Sequence, residues 1–104
     1  MTISTHVLDA GRGRPASGVA VVLQRRADGQ WHPVADARTD ADGRVATWSA
    51  VTADAGLHRL VFDTSRHSQF YPEVVITFTV DDPAEHYHVP LLLSPFAYST
   101  YRGS

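Results

Sequence analysis

Residues 18–38 read GVAVVLQRRADGQWHPVADAR. Two β-type runs flank Asp28-Gly29, and an Asp-Gly pair in that position is a strong hairpin signal, because both central residues of the tight turn need positive φ. Gly18 to Arg26 is therefore predicted as one strand, with Val19, Val21 and Leu23 on one face, and Trp31 to Arg38 as its antiparallel partner. Outward from this hairpin the chain continues as short β-type runs broken by turn signals, the spacing of a sandwich or barrel. Upstream, Ile3 to Leu8 sets Ile3, Thr5 and Val7 against Ser4, His6 and Leu8, and Gly11 to Pro15 is a loop by composition. Downstream, Asp40-Ala41-Asp42-Gly43 turns the chain and Arg44 heads a short run ending near Trp48. Leu57 to Phe62 gives another strand. Thr64 to Gln69 is predicted to hold one helical turn, capped by Thr64 or Ser65. Glu73 to Val80 alternates with Val74, Ile76, Phe78 and Val80 on one face, and Asp81-Asp82-Pro83 closes it. A strand from His86 breaks at Ser94-Pro95, and a last short one runs from Tyr98 to Arg102. The sum is an all-β, antiparallel β-sandwich of about eight strands with at most one short helix, a single domain over residues 1–104.

Composition narrows the chemistry. A chain of 104 residues buries roughly two-thirds of its unfolded surface, enough for a core without staples. There is no cysteine, and all nine basic residues are arginine. Thiol nucleophiles, zinc–thiolate sites, disulfides and lysine Schiff bases are excluded by inventory. A formal charge of −2 gives no general reason to bind nucleic acid or an anionic membrane. No stretch reads as a signal peptide or a membrane span, so a cytoplasmic protein is expected.

Six histidines remain to be weighed with the carboxylates, hydroxyls and arginines. His86 and His88 lie two apart in a β-type run, so both imidazoles point to one face, and Tyr87, Val89, Leu91 and Leu93 form the apolar row opposite. His32, His58 and His67, at strand and loop ends, read as exposed or structurally satisfied. For His86 and His88, with His6 as a third member, a metal site, a catalytic acid–base pair and plain surface histidines stand side by side. On pattern alone Arg44 reads as a solvated charge after a turn, and Tyr101 and Arg102 as edge-strand residues.

Three stretches carry a resemblance that separates these readings. HYHVPLLLSP from residue 86 with the terminal YRGS, STHVLDAGRGRPASGVAV at residues 4–21, and TDADGR at residues 39–44 resemble the signatures of the 5-hydroxyisourate hydrolases, the transthyretin-like proteins of purine breakdown. The resemblance implies a transthyretin-like sandwich and an enzyme that opens 5-hydroxyisourate at a ring amide to 2-oxo-4-hydroxy-4-carboxy-5-ureidoimidazoline. It implies a catalytic set of His6, Arg44 and His88 without metal or cofactor, and substrate binding by Tyr101, Arg102, Gly103 and Ser104. It also implies a homotetramer with sites between two dimers. Imidazole, with a pKa near ~6.5, can move protons near neutral pH, and arginine can steady a developing oxyanion. Two rivals remain: a non-catalytic small-molecule carrier of the transthyretin type, and a histidine-based metal site. The stretch from Asp63 to Tyr71 is shorter than the family's usual helical connection, and Ala97 stands where glycine is common.

Overall fold

The computed structural model describes residues 2–46, 48 and 54–104. Ten strands are assigned among them: β1 (Thr2–Asp9), β2 (Arg14–Pro15), β3 (Ala20–Ala27), β4 (Gln30–Arg38), β5 (Arg44–Val45), β6 (Gly56–Asp63), β7 (Glu73–Val80), β8 (His86–His88), β9 (Leu91–Ser94) and β10 (Ala97–Thr100). One sheet runs β4-β3-β6-β7; the other runs β10-β9-β1-β2, with β5 and β8 also paired to β1. Two layers enclose one core. Ile3, Val7, Leu91 and Leu93 from one sheet meet Val21, Leu23, Leu60, Phe62 and Val74 from the other, all fully buried or nearly so. Burying each such side chain contributes about 1.5–3 kcal/mol. No helix among the described residues is long and apolar enough to cross a membrane.

The hairpin forms where the Asp-Gly pair stands. Asp28 and Gly29 have φ of 54° and 72°, the doubly positive pair of the tight turn, and Ala27 faces Gln30 across it. Leu23 faces Ala35 and Gln24 faces Pro33, so Val34 is an extra residue that bulges β4 beside its proline; proline has no N–H to offer a ladder and is tolerated on an edge strand. The Glu73 to Val80 run is a strand over its whole length and pairs with β6 from Asp63↔Glu73 to Gly56↔Val80.

Four details depart from the expectations. The count is ten, not about eight, because Arg14–Pro15 pairs with Leu8 and Asp9 of β1, and because the His86 run is interrupted at Val89–Pro90. The interruption does not shift the register: Ser4 faces His88 and Val7 faces Leu91, an offset of 84 residues in both cases. The pairing of β1 with β8 and β9 is parallel, in sheets that are otherwise antiparallel. At Thr64 a single turn forms, with the His67 and Ser68 amides both donating to the Thr64 carbonyl, and it goes no further. Its cap is Asp63, whose carboxylate accepts from the Ser65 amide and hydroxyl, in place of Thr64 or Ser65. Of the run expected from Arg44 to Trp48, the strand covers Arg44–Val45; Trp48 is buried and donates its amide to Ile3, and Thr47 lies outside the described residues.

His32 and His67 are satisfied, on the Ala27 carbonyl and the Asp9 carboxylate. His58 is not wholly so. It is buried, Nδ1 donates to the Gly56 carbonyl at 3.2 Å, and Nε2 is buried without a partner. Burial, with the nearby Arg25 charge, pushes its pKa below the ordinary 6.5 against the opposing pull of the Gly56 bond and Asp54. As pH falls through 6.5 the unfolded chain therefore takes a proton that the folded chain refuses, and stability is lost until the folded-state value is passed. His58→Phe is expected to flatten the fall in the urea midpoint between neutral and mildly acid pH; an unchanged slope contradicts this.

Candidate active site

Alternation along β1 places Ile3, Thr5 and Val7 in the core and Thr2, Ser4 and His6 on the other face of the sheet. Pairing then brings three more polar side chains to that face. Antiparallel β5 sets Arg44 opposite His6, and parallel β8 sets His86 opposite Thr2 and His88 opposite Ser4. Arg44 is fixed by the turn before it. Asp40 accepts the amides of Asp42 and Arg44 on one carboxylate oxygen, both at 2.9 Å, and Val7 donates its amide to the Gly43 carbonyl at 2.7 Å, pinning the turn to β1.

The three histidines are held differently. His6 Nε2 lies 2.9 Å from the Asp42 carbonyl; a carbonyl only accepts, so this nitrogen carries the hydrogen and Nδ1 is bare in the neutral ring. His88 Nδ1 and His86 Nε2 both meet the Ser4 hydroxyl, at 2.7 and 2.8 Å, and His86 Nδ1 meets the Thr2 hydroxyl. Among the described residues, no group of three or more histidines and carboxylates is placed to hold a metal ion, because His6 is turned to Asp42 while the other two share Ser4.

An open cleft of about 260 Å³ lies over this face, lined by Ser4, Arg44, Val45, His86, His88 and Ser104 among others. The chain terminus reaches it because the Gly103 amide donates to the His88 carbonyl at 2.8 Å. Gly103 lies flat against the imidazole: a Cβ there would fall well inside van der Waals contact of His88 Cδ2. His88 is pushed below the ordinary 6.5, first by burial and then by the charge of Arg44, with His86 and His6 adding to it. A half-buried imidazole kept neutral beside a fixed cation can take a proton from water, and the cation can steady an oxyanion.

His6, Arg44, His88, Gly103 and Ser104 thus gather around one face. Tyr101 and Arg102 do not. They line a mainly apolar groove of about 230 Å³ with Ile76, Phe78, Tyr87 and Val89, between β7 and β10. There Arg102 stacks on Tyr87 at 4.6 Å and pairs with Glu85 at 2.8 Å. Ser4 was not singled out in the sequence, although it shares the strand face of His6; the signal was present, but the hydroxyl gains meaning only when β8 is known to lie beside it.

Comparison with known proteins follows the same line. A family model described as HIUase/Transthyretin family matches residues 3–103. A 5-hydroxyisourate hydrolase of Salmonella dublin is 43% identical over 109 residues, covering 98% of this chain and 80% of that protein. The structure of Klebsiella pneumoniae 5-hydroxyisourate hydrolase superposes with a TM-score of 0.83 at 37% identity, over the whole of both chains. Sea bream transthyretin in complex with thyroxine superposes at 0.85 with 33% identity, over 97% of this chain and 93% of that one.

Gly103→Ala is expected to push the imidazole of His88 off Ser4 while leaving the core intact. The checks are a displaced His88 ring resonance and an unchanged unfolding midpoint; a ring signal identical to that of the parent contradicts the close approach.

Proposed function

The chain belongs to the HIUase/Transthyretin family, and we propose that it hydrolyses 5-hydroxyisourate to 2-oxo-4-hydroxy-4-carboxy-5-ureidoimidazoline in urate breakdown, as a cytoplasmic enzyme. The observation that carries this reading is the convergence of His6, Arg44 and His88 on one sheet face, where Arg44, His88 and Ser104 line a cleft. In the proposed reaction neutral His88 takes a proton from water as its oxygen attacks the ring amide carbon. Arg44 donates hydrogen bonds to the carbonyl oxygen as it becomes negative. The C–N bond then breaks, and the leaving nitrogen receives a proton from Nδ1 of His6, the cross-strand neighbour of Arg44, which has first taken that proton up from solvent while Nε2 stays on the Asp42 carbonyl. Gly103 and Ser104 bound the substrate at the terminus. No cofactor or metal enters the scheme.

We further propose a homotetramer with sites between two dimers. The support is that β7 and β10, each the end strand of its sheet, flank one groove, that Tyr101 of this groove is exposed, and that Val75 of β7 and Tyr98 of β10 are exposed as well. Tyr101 and Arg102 then contact substrate only across a subunit boundary. Sedimentation paired with assay tests this, and a fully active monomer overturns it.

The thyroxine complex of the sea bream protein favours one other reading, a carrier without chemistry. A single assay separates them: 5-hydroxyisourate is generated from urate in situ and its decay followed spectrophotometrically. The protein is expected to accelerate decay with or without a chelator, and His6→Ala, Arg44→Ala and His88→Ala to lose roughly 10²–10⁴-fold in turnover. Because His88 titrates below 6.5, the base stays available as the medium turns mildly acid, so the acid limb of kcat/KM is expected below pH 6.5. Undiminished turnover in both histidine variants overturns the assignment.

A further inference from the structure

The Ser4 hydroxyl lies between two imidazoles, 2.7 Å from His88 Nδ1 and 2.8 Å from His86 Nε2. A hydroxyl has one hydrogen. If it donates to one ring, the other ring must donate to it, so the two neutral rings are locked into complementary tautomers. The line continues from His86 Nδ1 to the hydroxyl of Thr2, and both His86 and Thr2 are exposed. Parallel pairing of β1 with β8 keeps the alignment, since Thr2 faces His86 and Ser4 faces His88 in one unbroken register.

We infer that Thr2, Ser4 and His86 form a proton relay that carries the proton taken by His88 out of the cleft to solvent. The inference rests on the reading of His88 as the base. His88 Nε2 has no hydrogen-bond partner among the described residues and is the nitrogen free to accept from water. When it does, Nδ1 passes its hydrogen to the Ser4 oxygen, Ser4 passes its own to His86 Nε2, and His86 Nδ1 releases one to Thr2 and bulk water. One proton enters at the cleft and one leaves at the surface, so His88 returns to the neutral state with its tautomer reversed. Reversal of the line between turnovers resets it. The groups facing His88 are Arg44 from β5, His6 from β1, His86 on its own strand and the terminal residue Ser104. The Arg44 cation disfavours a charge that stays on His88, and substrate seated in the cleft closes the direct way to water; the relay supplies a second way.

The test is turnover of 5-hydroxyisourate at low buffer concentration, with imidazole then added stepwise. His86→Ala is expected to lower kcat about 10-fold, short of the loss for a direct acid or base, with KM unchanged, and imidazole is expected to restore the rate to saturation. Ser4→Ala is expected to lose as much. The exposed His86 decides the matter if Ser4→Ala folds poorly. Parent-like kcat of His86→Ala at every buffer concentration, or a loss that imidazole does not repair, overturns the relay. If His88→Ala is inactive in the same series, only the relay falls; if it too turns over normally, the reading of the base falls instead.

Discussion

Strand β1 is bonded on both flanks, to β5 and β2 on one side and to β8 and β9 on the other, and the rest of the structure depends on the register it imposes. Its inner residues Ile3 and Val7 are wholly buried, and its outer residues Ser4 and His6 carry the polar cluster. The period of two ties the faces together, so a slip of one residue would turn His6 inward and Val7 outward. Core and site are therefore specified by the same hydrogen bonds. The hydroxyl of Thr5, itself in the core, adds to this by donating to the Val89 carbonyl at 2.6 Å where the β8–β9 line is broken before Pro90. That side-chain bond helps carry the register past a residue that has no N–H.

The terminal stretch is held from two directions. Thr100 donates to the Pro90 carbonyl at 2.7 Å, Arg102 is clamped between the Tyr87 ring and Glu85, and Gly103 is bonded to His88. Exposed ion pairs of the Arg102–Glu85 kind are screened by solvent and contribute little. The stacking and the backbone bond do more to order this stretch. Side chains of Tyr101 and Arg102 lie round the edge of the sheet from Ser104, so four consecutive residues serve two different surfaces.

Sequence pattern made the faces legible and the neighbours illegible. Asp28-Gly29 fixed a hairpin because its φ requirement is local, and Glu73 to Val80 alternated cleanly because one side is core and the other is not. The parallel neighbour of β1 had no local signal: strands 84 residues apart meet through the packing of the whole sandwich. Arg14–Pro15 was too short to show periodicity, and Pro90 interrupts a run whose apolar alternation continues through it. His6, Arg44 and His88 stood out through likeness to a family, and their shared face follows from pairings that alternation alone does not supply. His58 was read as satisfied because its buried, unpartnered Nε2 depends on what β3 and β7 pack against it.

The two outer edges of the β4-β3-β6-β7 sheet are unlike. β4 carries Pro33 beside a bulge at Val34, which spoils it as a template for another strand, whereas β7 runs Glu73 to Val80 without a proline and leaves one rim of backbone groups open. In the proposed assembly, a sheet open along one rim would pair with a copy of itself there and then stop. The same two layers with both rims open would have been the repeating unit of a fibre.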